Sequence, residues 1–160
     1  MLRRKVQAAL LAWGLALLAG GCATPALAPP HAAPTVPETP AFVTAPIQEA
    51  ALQLVAAERQ AAIDRDLNTL AQLWAPDSRV VDARGTGTPE DDLVWPGKAA
   101  VLDRYVVAVF PNPPPPLGGL VDATVDVDGE SAVLDLGSDR WRFVFADGRW
   151  WLAELTYGLP

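Results

Sequence analysis

The chain has 160 residues, with 19 acidic and 12 basic side chains and a formal net charge of −7. Three of the basic residues, Arg3, Arg4 and Lys5, lie at the start, so the remainder carries a net charge of −10. Such an acidic chain offers no cationic surface to nucleic acid, and its single cysteine excludes an internal disulfide.

The first 22 residues follow the order of a secretory signal peptide. The three basic residues precede an uncharged apolar run from Val6 to Leu18, and small residues then lead to Cys22. The apolar run is shorter than the roughly 20 residues that a membrane-spanning helix needs. The sequence therefore predicts export.

The same residues resemble a bacterial lipoprotein signal, with 1–21 removed and the thiol of Cys22 acylated, as by palmitate. The family usually has Leu where Ala19 stands here, and an ordinary signal peptide with a stray cysteine is the alternative. The resemblance implies that the bilayer is a partner through Cys22. Because Ala23, not Asp, follows the cysteine, the resemblance also implies that the protein is anchored in the outer membrane and faces the periplasm in a host with two membranes.

Residues 22–46 are predicted to form a tether. Ala, Pro and Thr dominate the segment, and its seven prolines disfavour both helix and sheet. The only histidine, His31, lies here, so no metal-binding or catalytic role is expected for it. One domain is predicted over 47–160.

Helices are predicted first in this domain, because apolar residues recur at helical spacing. The predicted helices cover Ile47–Ile63, Asp66–Trp74 with Asp66 as N-cap, and Lys98–Phe110. A short strand, Arg79–Ala83, and a loop, Arg84–Trp95, separate the last two. The prolines of 111–116 predict another loop, and whether Pro113–Pro116 gates a pocket stays open.

Strands follow, because the apolar pattern changes to period two. The turns at Asp128-Gly129 and Asp147-Gly148 favour hairpins. The predicted strands cover 120–128, 131–136, 140–146 and 149–157. Helices followed by an antiparallel meander predict an α+β fold.

Three stretches resemble the SnoaL-like, nuclear-transport-factor-two-like (NTF2-like) superfamily: Leu73–Asp82, Trp95–Val101 and Phe143–Trp150. The resemblance covers nearly all of the domain. It implies a cone-shaped, curved antiparallel sheet wrapped around three N-terminal helices, a ligand pocket, and a homodimer formed through the sheet. The superfamily includes isomerases, cyclases, dehydratases and non-catalytic binding modules, so the fold does not settle the function.

Glu58 falls in the apolar stripe of the first helix, where a bare charge would be costly. Either it points into a cavity, or it pairs with a buried cation such as Arg104 or Arg142.

Asp82 matches the general base of the ketosteroid-isomerase branch, because it follows the helix-strand junction and precedes Gly85. The two hydrogen-bond donors that stabilise the oxyanion in that branch are missing. Glu58 stands in the place of one, and Trp141, or Arg140 with a one-residue slip, stands in the place of the other. The histidines on which dehydratase-type members rely are also absent from 47–160. The alternative is that Asp82 anchors a loop.

Aromatic residues are the remaining pocket candidates. The predicted pocket residues are Trp74, Trp95, Tyr105, Trp141 and Phe143. Trp95 is expected at the mouth, beside the acidic residues Glu90–Asp92. These acids lack the ligand spacing of a calcium site and are expected to be solvated. No metal or cofactor is predicted.

The sequence supports two alternative functions for the domain. The first is a non-catalytic module that binds a small apolar or cationic ligand or an envelope protein. The second is a proton-abstraction enzyme of the isomerase, cyclase or lyase type with Asp82, and Glu58 beside it, as the acting groups. The missing donors and histidines favour the first.

Overall fold

The structure, a computed structural model, describes residues 39–118 and 123–160. The predicted signal peptide, Cys22, His31 and most of the tether lie outside these ranges, as do residues 119–122 of the loop and strand predicted there. Within the two ranges, no helix combines the length and the apolar character needed to cross a membrane.

All three predicted helices form. Their bounds are α1 Ile47–Asp64, α2 Leu67–Leu73 and α3 Gly97–Arg104, and a π-helical segment, Tyr105–Val109, continues α3. Asp66 caps α2, since its carboxylate accepts from the backbone N–H of Asn68 and Thr69 at 3.1 and 3.0 Å.

The packed part of the chain extends upstream of Ile47. Ala41–Thr44 form a 3₁₀ helix within the predicted tether, and Val43 is fully buried there. The two apolar residues Phe42 and Val43 explain this packing, because both join the core. Prolines at 40 and 46 bracket the turn without interrupting it.

The six strands form one mixed, curved sheet in the order β2-β1-β6-β5-β4-β3. Their bounds are β1 Trp74–Asp82, β2 Leu93–Pro96, β3 Val125–Asp128, β4 Ser131–Leu136, β5 Asp139–Ala146 and β6 Arg149–Tyr157. The three pairs of the meander β3–β6 are antiparallel as predicted, and β2, which the sequence did not predict, pairs antiparallel with β1. β1 and β6 run parallel, which makes the sheet mixed.

Three strand predictions differ from the structure. β3 starts at Val125, and the described residues 123–124 lie outside it, although the sequence predicts a strand from 120. β1 starts at Trp74 instead of Arg79, because Trp74 already pairs with Leu152 of β6. The predicted loop Arg84–Trp95 contains most of β2, an edge strand that pairs with the end of β1. Leu93 and Val94 are exposed, so β2 lacks the buried alternation by which strands are recognised in sequence.

The core lies between the helices and the inner face of the sheet. Residues from four adjacent strands stand side by side there in two rows. One row is Leu134, Trp141, Leu155 and Val80; the other is Ala132, Phe143, Leu152 and Trp74. Leu54 and Val55 of α1, both fully buried, belong to the same cluster. This packing is the main source of stability in the domain.

The outer face of the sheet carries ion pairs. Glu154 is paired with Arg79 at 2.7 Å and with Arg142 at 3.2 Å, and Asp135 is paired with Arg140 at 2.7 Å. The predicted homodimer would form through this face. It stays a prediction, which sedimentation of the chain would test.

We expect Asp66→Ala to lower the free energy of unfolding by about 1 kcal/mol, because α2 loses its N-cap. Hydrogen bonds from the Thr69 side chain and backbone lower the pKa of Asp66 below its ordinary 3.8. The capping stability is therefore present above pH 3.8 and lost as the pH falls through the folded-state pKa. Urea denaturation should show the difference from wild type shrinking in acid, and a difference that persists unchanged there would contradict the capping role. Asp77→Ala, at an exposed position of β1, is the control.

Candidate ligand-binding site

A cavity of about 390 Å³ lies where α1, the end of α3, the π-helical segment and the strand ends meet. The groups on which its chemistry depends are Glu58, Arg104, Tyr105, Asp139, Trp95 and Tyr157. The aliphatic side chains of Val109 and Leu155 complete the apolar part of the wall. The cavity thus combines apolar walls with a few polar groups.

Strand register brings the sheet residues of the cavity together. Trp95 of β2 is opposite Val80 of β1, which in turn is opposite Leu155 of β6. Tyr157, two residues after Leu155, extends the same inner face toward the end of the sheet. On the helical side, Val101, Arg104 and Tyr105 have the spacing of one inward helical face, and the exposed Ala108 lines the cavity one turn further on.

Glu58 and Tyr105 are hydrogen-bonded inside the protein. Glu58 is 4% exposed and Tyr105 is 1% exposed, and the Tyr105 hydroxyl donates to Glu58 Oε1. Glu58 Oε2 is buried and has no hydrogen-bond partner among the described residues. Of the two alternatives predicted for Glu58, the structure has the cavity-lining one. The hydrogen-bond partner of its carboxyl is a tyrosine and not an arginine. Arg142, a predicted partner, lies on the outer face with Glu154.

Burial raises the pKa of Glu58 above its ordinary 4.5, and the Tyr105 hydrogen bond and the charges of Arg59 and Arg104 offset this only in part. Burial also raises the pKa of Tyr105 well above 10.0, and the neighbouring Glu58 adds to this. Tyr105 is therefore a neutral hydroxyl donor at any physiological pH.

Arg104 is held by aromatic rings. Its guanidinium carbon lies 4.9 Å from the ring centroid of Tyr157, 5.1 Å from that of Trp95 and 5.9 Å from that of Tyr105. These distances are within the range of cation–π attraction. Within the two described ranges Arg104 forms no ion pair, and its buried Nε has no acceptor.

The proline loop forms part of the cavity wall. Pro114 lines the cavity, and Arg59 of α1 donates from Nη1 to the carbonyl oxygen of Pro115 at 3.0 Å. Asp139 lies on the same wall, where burial raises its pKa and the charge of Arg59 partly opposes the rise. The sequence left open whether this loop gates a pocket. In the structure the loop is hydrogen-bonded to α1 at the cavity wall.

Asp82 is not among the residues that line this cavity. It lies on the inner face, in register with Tyr157, but its Oδ1 accepts from the backbone N–H of Arg84 at 3.0 Å. Arg84 has a left-handed φ of 53°, so the carboxylate holds a tight turn after β1. This is the loop-anchoring alternative predicted for Asp82.

The predicted pocket aromatics divide into two groups. Trp95 and Tyr105 line the cavity, whereas Trp74, Trp141 and Phe143 are 0–1% exposed in the core. None of the latter three is among the residues that line the cavity. The sequence prediction missed Tyr157 and Asp139, and it named Arg104 only as a partner for Glu58. The helical spacing of Arg104 with Val101 and Tyr105 is the signal that identifies its face.

In the described part of the chain, no group of three or more His, Cys, Asp or Glu side chains is arranged to hold a metal ion. Pro89–Asp91 form an exposed 3₁₀ turn, and Glu90–Asp92 lie on or beside it.

Comparison with solved structures identifies the fold. An NTF2-like superfamily protein from Salmonella enterica matches with a TM-score of 0.55 and 13% identity, over 71% of this chain and 91% of its own. An NTF2-like protein of unknown function from Pseudomonas putida matches with a TM-score of 0.51 and 20% identity, over 69% and 84%. A protein with a cystatin-like fold from Nostoc punctiforme gives 0.51 and 13%, over 69% and 91%.

No protein-family model and no curated protein gives a significant match to this sequence. The structural likeness and the element order nevertheless agree with the resemblance found in the sequence. The domain has the NTF2-like fold, with α+β architecture and three helices packed against a curved sheet.

We expect Glu58→Gln to flatten the pH dependence of stability. Because the folded-state pKa of Glu58 lies above 4.5, the folded protein binds more protons than the unfolded chain in the interval between the two values. Stability from this group therefore falls as pH rises through that interval, and the neutral amide abolishes the loss. The stability of the variant relative to wild type should therefore be greater at pH 8 than at pH 4.

Urea denaturation at both pH values measures this difference. Glu49→Gln is the matched control, since Glu49 is an exposed residue of the same helix. Parallel pH profiles for wild type and Glu58→Gln would contradict a raised pKa.

Proposed function

We propose that the chain is a lipid-anchored envelope protein whose NTF2-like domain binds a small organic molecule without catalysing its conversion. The observation that carries the proposal is the aromatic-walled cavity of about 390 Å³ with its few polar groups. Such a volume lies in the range of sites that hold small ligands.

The lining favours a ligand with an apolar body. Trp95, Tyr157, Val109 and Leu155 supply flat or aliphatic surfaces. A cationic ligand is disfavoured, because the ring faces of Trp95 and Tyr157 that would stack on it already hold Arg104. The sequence predicted an apolar or cationic ligand. We therefore propose a ligand whose body is apolar or neutral. An envelope protein is the alternative partner.

The proposed anchor is a lipid on Cys22, at the outer membrane facing the periplasm in a host with two membranes. The signal pattern supports it, as does the proline-rich segment that separates Cys22 from the first described helix. The net charge of −10 beyond the signal would repel anionic lipid surfaces, so a covalent lipid accounts for attachment better than surface charge does.

Proton abstraction by Asp82 is not favoured. The carboxylate of Asp82 is engaged with the turn at Arg84. Of the two carboxyls that do line the cavity, Glu58 and Asp139, the first accepts from Tyr105. A base needs to reach the proton that it abstracts. Asp82 lies outside the cavity lining, so we assign it a structural role in the loop.

We expect the chain to bind N-phenyl-1-naphthylamine, a neutral fluorescent aromatic, at one site. Ala108→Trp should weaken binding about tenfold or more, because Ala108 lines the cavity and the larger side chain occupies ligand space. Fluorescence titration measures both affinities. Ala99→Trp, at an exposed position of α3 outside the lining, should leave binding unchanged. Absence of binding to wild type, or equal binding to Ala108→Trp, would contradict the proposal.

We expect Cys22→Ala to abolish metabolic labelling of the chain by a palmitate analogue in a bacterial host and to release the protein from the membrane fraction. The wild-type chain should be labelled and sediment with membranes. Thr24→Ser, a conservative change two residues after the cysteine that leaves the thiol in place, is the control and should retain both properties. Labelling of Cys22→Ala would show that the lipid is attached elsewhere.

A further inference from the structure

We propose that the ligand of the cavity carries a carboxylate and that Arg104 binds it. This inference rests on the proposed function, and it specifies the chemical class of ligand for the same site. The basis is a guanidinium that lies over two aromatic rings of the cavity and has no hydrogen-bond acceptor among the described residues.

A guanidinium has two kinds of contact surface. Its flat faces stack on aromatic rings, whereas its five N–H donors point outward in its plane. The guanidinium carbon of Arg104 lies over both rings, 4.9 Å from the centroid of Tyr157 and 5.1 Å from that of Trp95, and its buried Nε has no acceptor among the described residues. The two rings position the group. The edge therefore stays available to a planar acceptor.

The carboxyls near Arg104 do not supply that acceptor. Glu58 lies close enough for the charge of Arg104 to lower its pKa, yet the two side chains form neither a salt bridge nor a hydrogen bond. Asp139 lines the cavity too, and it is not paired with Arg104. In contrast, Arg79, Arg140 and Arg142 on the outer face all have carboxylate partners.

A half-buried guanidinium without an acceptor is costly, because it has lost part of its hydration. A ligand carboxylate restores two parallel charge-assisted hydrogen bonds and matches the planar fork of the arginine. The lining carries the carboxyls of Glu58 and Asp139 beside the guanidiniums of Arg104 and Arg59, so it has no excess of positive charge to hold a ligand with a larger negative charge. A monocarboxylate with a flat apolar body therefore fits both the charge and the walls of the cavity.

The test is a ligand-observed NMR screen of the full chain against matched sets of aromatic compounds. Each set holds a carboxylic acid, its primary amide and the corresponding amine on one scaffold: naphthalene, biphenyl or indole. We expect the acids to bind about tenfold or more tightly than the amides, and the amines to bind least. Arg104→Gln should remove the preference for acids, so that acids and amides bind with similar affinity.

Two variants complete the design. Arg142→Gln removes the same charge from the outer face and should keep the preference for acids, which excludes a general effect of net charge. Arg104→Lys keeps the charge without the fork and should retain part of the preference. Should Arg104→Gln fail to fold, Arg104→Lys and the ratio of acid to amide binding in wild type decide the question.

The outcomes separate this inference from the proposed function. Equal binding of acids and amides, or a preference for acids that survives in Arg104→Gln, overturns carboxylate recognition while leaving the binding function intact. If no member of any set binds, both the inference and the proposed function fail.

Discussion

The hydrogen bond from Tyr105 to Glu58 joins α1 to the π-helical segment that continues α3, at the wall of the cavity. A carboxyl in the apolar stripe of α1 needs a donor, because burial without one is strongly unfavourable. Tyr105 meets this need only if the end of α3 approaches α1. The same approach places Arg104, the preceding residue, on the cavity wall beside Trp95 and Tyr157. The position of the cavity thus depends on how one buried carboxyl obtains a hydrogen-bond donor.

The sheet contributes a second constraint through the parallel pairing of β1 with β6. This pairing places the first strand of the domain beside the last one, and β2 then extends the sheet beyond β1. Trp95 consequently shares the inner face with Val80 and Leu155. Without the parallel pair, the aromatic ring that stacks on Arg104 would have no fixed place in the site.

The two faces of the sheet differ in how arginine charge is balanced. On the outer face, partly exposed arginines are paired with Glu154 and Asp135, and such pairs contribute little to stability. In the cavity, Arg104 is positioned by aromatic rings and Arg59 by a backbone carbonyl. This contrast motivates the assignment of a binding role to the cavity, since its charged donors are held in place without carboxylate partners.

The sequence by itself determined the three helices, the hairpins of the second half and the Asp66 cap, because these depend on local spacing and turn residues. It also identified Glu58 as a polar residue in an apolar stripe. Only the tertiary structure decided the partner of Glu58, the strand β2, the parallel pairing of β1 with β6, and which aromatics line the cavity. Trp141 and Trp95 were both predicted as pocket residues, and only the tertiary structure places Trp141 in the core and Trp95 on the cavity wall. These features depend on contacts between residues far apart in the chain, which local periodicity does not encode.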